Sequence, residues 1–188
     1  MESILALDRE LFLLLNGFHA PFWDDFFYQV TKTLTWLPLY AIVIWLMIRK
    51  YGWQAIFLII GLALTVTLAD QFTSSFMKPY FERLRPCWEP GLEGIIYVPR
   101  GCGGRYGFAS SHAADTLGAA LFCWYWLRKK SPWISLIFIW PLLSSYSRIY
   151  LAAHYPGDVL VGWVVGGLAA GGLVWVMIKI GIKAEHRD

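Results

Sequence analysis

The sequence predicts an all-α integral membrane helical bundle of five transmembrane helices, preceded by interfacial amphipathic helices, and three observations predict it. Of 188 residues, 57% are hydrophobic, 18% aromatic and only 15% charged, and the mean hydropathy of +0.50 lies outside the usual soluble range. Five apolar segments recur, at Thr33 to Ile48, Tyr51 to Ala69, Tyr106 to Leu127, Ser131 to Ser147, and Val159 to Ile178. Lys and Arg cluster at the ends of these segments instead of forming a basic stripe, and the net charge is only +3, which argues against nucleic acid as a partner.

Met1 to Gly17 carries Asp8, Arg9 and Glu10 directly before a short apolar stretch. It lacks a basic n-region and a small-residue cleavage site, so no cleaved signal peptide is expected and the internal helices direct insertion. Ile4 to Leu15 sets apolar residues around those charges, Asn16-Gly17 and Pro21 interrupt, and Phe22, Trp23, Phe26, Phe27 and Tyr28 follow. Residues 1–32 therefore read as one or two interfacial helices with their aromatic rings at headgroup depth. A sixth span is the alternative, but the uninterrupted apolar run is shorter than the ~17 residues a crossing needs.

Thr33 to Ile48 and Ser131 to Ser147 must borrow flanking residues to reach the ~20 that span the hydrocarbon core. Five spans put alternate loops on opposite sides. Arg49-Lys50, Arg128-Lys129-Lys130 and the tail with Lys179, Lys183 and Arg187 share one face, which their short basic loops mark as cytoplasmic. Residues 33–181 are then the transmembrane bundle that carries the site and 182–188 a cytoplasmic tail; no linker, repeat or low-complexity run divides this single domain. The opposite face receives the N-terminus, the connection Ser74 to Gly104 and the connection Arg148 to Asp158. Eight Lys/Arg fall on each side, so the orientation strengthens once Lys78, Arg85 and Arg148 are set aside as residues held for chemistry.

Cys87 and Cys102 share the long connection on the proposed outer face and can pair in an oxidising compartment, closing a loop of about 15 residues for ~3 kcal/mol in the entropic model. Two free thiols are the alternative, and a zinc site would need ligands the loop does not supply. Cys123, among Leu121, Phe122 and Trp124, reads as a buried apolar residue.

Three polar clusters sit at span ends where a bilayer would otherwise exclude them: Lys78, six residues, Arg85-Pro86; Ala109-Ser110-Ser111-His112; and Ser147-Arg148, five residues, His154, three residues, Asp158. All fall on one face of the five-span topology. Lys78, Arg85 and Arg148 supply fixed cations of the kind that stabilise a phosphoryl group in flight, and Arg can grip two oxygens at once. Ser110 and Ser111 stand where a helix begins, so hydroxyls and first-turn N–H groups can meet an anion. Two histidines and a carboxylate supply a neutral imidazole to attack, a carboxylate to hold its tautomer, and a protonated imidazole for the leaving oxygen. In principle this chemistry needs neither metal nor cofactor.

These residues resemble the three-part signature of the type 2 phosphatidic acid phosphatase superfamily, which also includes vanadium haloperoxidases. That pattern reads Lys, six residues, Arg-Pro; Pro-Ser-Gly-His; and Ser-Arg, five residues, His, three residues, Asp. The chain reproduces the first and third spacings and departs in the second, where Ala109 replaces Pro and Ser111 replaces Gly. The resemblance covers roughly residues 70–162. It implies that His154 is the nucleophile forming a phosphohistidine, that Asp158 orients it, and that His112 is the general acid. It further implies that Lys78, Arg85, Ser110, Ser111 and Arg148 hold phosphate oxygens, and that no metal takes part. Loop charge and resemblance together suggest a bacterial inner membrane with the site facing the periplasm or exterior. Undecaprenyl diphosphate, phosphatidylglycerol phosphate, lipid A phosphate and phosphatidic acid all suit such a site, and no feature speaks to oligomeric state.

Blander readings stand beside these. Pro156-Gly157 makes the His154 to Asp158 stretch a turn between helices, and Ser110-Ser111 a plain N-cap. Arg83 and Arg105 read as interfacial anchors, Asp70 and Asp115 as groups paired with a nearby cation or polar partner, and His19 and His186 as solvated or interfacial. Gly162, Gly166, Gly167, Gly171 and Gly172 read as close helix packing. A membrane anion transporter using the same cations without hydrolysis is the competing function, opposed by the clustering of polar groups at one face instead of along a midplane path. A vanadate-dependent oxidant enzyme ranks below it.

Overall fold

The computed structural model describes residues 2–182. Helix α1 (Glu2–Gly17) stops at its glycine, and α2 (Pro21–Val30) begins with proline in its first turn, where a fixed φ and a missing N–H are tolerated. A 3₁₀ turn, Thr33–Trp36, leads into α3 (Leu37–Tyr51), which ends at Gly52 with a φ of 57° that only glycine adopts freely. The chain doubles back there as α4 (Ala55–Gln71), passes through a π-helical turn, Phe72–Met77, and finishes as α5 (Lys78–Phe81). After the long connection come α6 (Ser111–Leu127), then α7 (Ile139–Tyr150) behind a 3₁₀ stretch, Pro132–Phe138, and α8 (Pro156–Lys179).

Two stretches, Thr33–Phe81 and Pro156–Lys179, are long and apolar enough to cross a membrane, each with a mean hydropathy of 2.0. Their outward faces carry exposed Trp45, Ile60, Leu64, Leu168 and Trp175. Such a girdle suits hydrocarbon and not water.

Helix α6 is the axis of the bundle, with eleven of its 17 residues buried against α4, α7 and α8. Helix α8 buries a stripe at Val159, Gly162, Gly166, Ala170, Val174 and Met177, spaced by three or four residues as one helical face requires. The absence of side chains brings the α6 and α8 backbones together: a Cβ at Gly162 or Gly166 would collide with the carbonyls of Ser110 or Ala114, and one at Gly118 would lie 3.0 Å from the Gly166 carbonyl. Gly171 and Gly172 do not join this seam, since they lie on the exposed face of α8, where a Cβ meets nothing within 4 Å.

A large apolar core containing Met47, Leu58, Phe122, Trp126 and Met177 fills the end of the bundle away from the polar clusters. A smaller one, with Phe12, Leu92, Ala113, Ile149 and Tyr155, underlies them. Through it α1 is tied to the site end: Phe12 is fully buried with its ring edge-on to Tyr155, and buried Asn16 donates to the carbonyls of Tyr97 and Tyr150. Helix α2 is tied down at Asp24, whose carboxylate accepts from Tyr150 and Tyr97 at 2.6 Å each; those two bonds hold its pKa below the usual value.

The third apolar segment differs from its sequence bounds. Helix α6 begins at Ser111 and not at Tyr106, because residues 105–107 are engaged with the long connection: Leu84 bridges Tyr106, Arg85 N–H donates to the Arg105 carbonyl and Gly107 N–H to that of Arg83. Of the expected tail, Lys183, His186 and Arg187 lie outside the described residues.

Candidate active site

The three polar clusters converge at the end of the bundle where α5 stops, α6 starts and α7 turns into α8. At Ala152 the chain adopts a left-handed φ of 53°, reversing between α7 and α8. The Arg148 carbonyl accepts from the N–H groups of Ala153 and His154, which fixes the His154 backbone against the end of α7. The Ala152 carbonyl accepts from Cys87 N–H at 3.2 Å. Cys87 is in turn bonded to Cys102, the pairing preferred from sequence, with Cα atoms 5.8 Å apart. The outer connection thus clamps the turn that presents His154.

His154 is 2% exposed and Asp158 fully buried. Asp158 sits in the first turn of α8, where Oδ2 accepts the Tyr155 N–H at 3.0 Å, a capping contact that uses the orphan donors of a helix start. The same oxygen stands 3.5 Å from His154 Nδ1, too long for a hydrogen bond, and Nδ1 is buried with no hydrogen-bond partner among the described residues. Burial first, and then the positive charges of Arg148, Arg85 and Lys78, hold the His154 imidazole well below its ordinary pKa. The ring is therefore neutral at physiological pH.

The cations approach from three elements. Lys78 Nζ donates to Ser111 Oγ at 2.5 Å, and that hydroxyl also meets Thr73 and Ser74 from the π-helical turn of α4, at 2.9 and 2.8 Å. Arg85 is held by its Nε to the Tyr106 carbonyl. Arg148 is half buried and its Nε has no partner in the protein. Ser110 caps α6, its Oγ accepting from Ala113 N–H, while its own N–H donates to the Asp158 carbonyl at 3.0 Å. This contact locks the starts of α6 and α8 together. His112 projects from the first turn of α6 with Arg148, His154 and Lys78 as neighbours. The residues of all three polar clusters are thus at this one end of the bundle. Among the described residues no three His, Cys, Asp or Glu are grouped to hold a metal ion.

Four residues belong to the site region that the sequence did not reveal as such. Arg83 is not an interfacial anchor: its guanidinium donates to Asp158 Oδ1 and to Asp8 Oδ2, both at 2.7 Å, and lies over the Tyr155 ring. Asp8 completes the chain by accepting from Gly157 N–H at 2.7 Å. These partners are 75 and 149 residues apart in sequence, so no local pattern marks them. Gly107 packs where a Cβ would stand 3.1 Å from Asp158 Oδ2 and 3.5 Å from His154 Nδ1. Asp115, expected to be paired, has a buried Oδ1 without a hydrogen bond, whereas Asp70 does find a partner in Ser74. Arg105 and His19 are exposed, as expected of them.

A cavity of about 610 Å³ runs down the bundle beside this cluster, with His112, Asp115 and Thr116 on its wall and Val43, Leu62 and Cys123 deeper in.

Comparison with known proteins gives a consistent result. Residues 54–181 match the family model of the PAP2 superfamily. The chain is 38% identical over its whole length to a lipid A 4'-phosphatase of Bacteroides thetaiotaomicron, covering 82% of that protein. It is 27% identical to an undecaprenyl-diphosphatase of Sulfolobus acidocaldarius, across 88% of this chain and 76% of that one. In fold it is similar to the crystal structure of Aquifex aeolicus LpxE, with a TM-score of 0.70 at 24% identity over 90% of this chain and 95% of that one.

Proposed function

This chain belongs to the PAP2 superfamily, and from that premise we propose that it is a membrane lipid phosphatase working through a phosphohistidine on His154. The observation that carries the proposal is a neutral, buried imidazole with a carboxylate at Nδ1 and the charges of Arg148, Arg85 and Lys78 around it. With Nδ1 facing Asp158, Nε2 is the nitrogen free to attack. Nε2 forms a bond to phosphorus, the bond from phosphorus to the leaving oxygen breaks, and that oxygen takes a proton from His112. Water then attacks the phosphohistidine, giving its proton to His112 as the N–P bond breaks and phosphate departs. Lys78, Arg85 and Arg148 neutralise the equatorial oxygens, joined by the first-turn N–H groups at Ser110 and Ser111. No step requires a metal ion.

The bundle crosses the membrane five times, through α3, α4 with α5, α6, α7 with its 3₁₀ stretch, and α8, while α1 and α2 lie over the site end. The basic loops at Arg49 and Arg128 support a cytoplasmic assignment of their face, with the site on the periplasmic or exterior side of a bacterial inner membrane. The disulfide between Cys87 and Cys102 on that face supports this orientation, since such bonds persist in oxidising compartments. Substrates are lipids with a phosphate at headgroup depth: lipid A, phosphatidylglycerol phosphate, undecaprenyl diphosphate or phosphatidic acid.

The test is phosphate release by the purified protein from that panel of lipids in detergent, with and without a chelator, together with alkaline-quench trapping of labelled phosphate on His154. Chelator-insensitive release and an acid-labile label are expected. Counterflow of labelled phosphate in proteoliposomes without hydrolysis would establish transport in its place.

A further inference from the structure

The carboxylate of Asp115 has no place in the mechanism, yet it stands one helical turn beyond the acid that serves the leaving oxygen. His112, Asp115, Thr116, Ala119 and Cys123 form the α6 wall of the 610 Å³ cavity, a single helical face descending roughly 16 Å from the site. Because His112 protonates the oxygen that departs, the carbon bearing that oxygen lies on the side of His112 away from His154. The alcohol therefore continues into the cavity, and Asp115 is the next polar group it meets, about 5 Å on.

The lining changes character with depth. Near His112 it includes Asp115, Thr116 and Tyr40, with Tyr40 facing Asp115 across the space. Beyond Thr116 it becomes hydrocarbon, suited to an acyl chain. Buried polar atoms are nearly always partnered, and an unpartnered carboxylate oxygen is costly to keep. Neighbouring groups do not relieve it: Lys78 is engaged with Ser111, and Asp70 with Ser74. Oδ1 itself is buried, and Asp115 lines the neck of the cavity with no hydrogen bond to either carboxyl oxygen among the described residues; a carboxyl group so placed can accept a hydrogen bond from whatever occupies that neck.

Resting on the lipid phosphatase reading and deepening it, we propose that Asp115 is a specificity-determining residue that accepts a hydrogen bond from the leaving alcohol. The favoured substrate class is then a lipid phosphate whose alcohol carries hydroxyl or amide N–H groups close to the phosphate, as glycerol and acylated amino sugars do. Isoprenyl phosphates and diphosphates, and a fully acylated glycerol phosphate, offer Asp115 no donor and leave its carboxyl group unmet in the neck. A site built to bond a substrate donor discriminates strongly against analogues lacking it.

The experiment measures kcat/KM of the full chain in detergent on lipid A and phosphatidylglycerol phosphate, which carry donors, and on phosphatidic acid and undecaprenyl diphosphate, which do not. The wild-type protein is expected to favour a donor-bearing lipid by about 10- to 100-fold, the range of a hydrogen bond to a charged group. In Asp115→Leu that preference collapses to within a few fold, because the donor-bearing lipids fall and the others hold or rise. The isosteric Asp115→Asn, which keeps one acceptor oxygen and the cavity's shape, retains part of the preference and serves should the leucine variant fail to fold. A wild-type preference for the donor-free lipids, or an equal loss on all four lipids in Asp115→Asn, overturns the assignment of Asp115. Absence of phosphate release from every lipid by the wild-type protein overturns the phosphatase reading itself.

Discussion

The two histidines of the site stand in differently built surroundings. Around His154 the partners are fixed: Asp158 is bonded to Arg83 and to the Tyr155 N–H, Arg83 to Asp8, and Asp8 to Gly157 N–H. Around His112 the structure opens, with Asp115 unpartnered at one oxygen and the cavity beginning at its wall. In the proposed mechanism the nucleophile meets one invariant group, a phosphorus atom, and rigidity there lowers the cost of orientation. The proposed acid meets whichever alcohol the lipid brings. A bonded framework on one side and a shaped space on the other divide chemistry from selectivity.

Substitutions on the two sides should therefore behave differently. His154→Ala is expected to have the largest effect, reducing phosphate release to background while the protein still purifies as a folded monodisperse species; residual activity within tenfold of wild type would rule out the phosphohistidine. His112→Ala should cost about 10²- to 10⁴-fold in kcat, the usual worth of general acid catalysis. Lipids with better leaving groups, such as aryl phosphates, should recover much of that loss, and an equal deficit on both kinds would place His112 outside proton transfer. Arg83→Ala leaves Asp158 buried without its partner and should lower stability by about 3–5 kcal/mol, read by thermal unfolding in detergent, with kcat falling more than KM rises. An unchanged kcat would make the Asp8 to Asp158 chain a purely structural device.

Smaller effects probe how far the framework extends. Reducing the Cys87 to Cys102 bond should cost about 3 kcal/mol in the entropic model and loosen the turn at Ala152 whose carbonyl Cys87 holds. Activity should decline in parallel with dithiothreitol treatment and be unaffected by it in a Cys87→Ser/Cys102→Ser double variant. Gly107→Ala inserts a methyl 3.1 Å from Asp158 and 3.2 Å from Arg85, an overpacking of about 1–3 kcal/mol that should lower kcat. Gly171→Ala, with open space around it, should change neither stability nor activity.

The residues of the proposed site were legible as groups in the sequence because each cluster is local. Lys78 and Arg85, Ser110 to His112, and Arg148 to Asp158 each fall within one helix end or turn, so their spacing alone reports their grouping. Helix boundaries were legible where glycine and proline punctuate them, as at Gly17 and Pro21, but α8 starts at Pro156, within the stretch read as a turn, and not at Val159. The start of α6 was not, because Tyr106 reads as part of an apolar run until Leu84 pairs with it. Arg83 looked like any basic residue at a membrane surface, and Asp8 like one of three charges on an amphipathic helix.

By itself the sequence determined a helical membrane bundle and which polar groups gather at its one end, since hydropathy and short-range spacing depend only on neighbours along the chain. The tertiary structure decided which carboxylate each arginine holds, that α1 closes over the site, that Gly107 and not Gly171 is confined, and that Asp115 faces a cavity. Each of these is a contact between segments brought together by packing, and a linear pattern carries no record of which distant segments will meet.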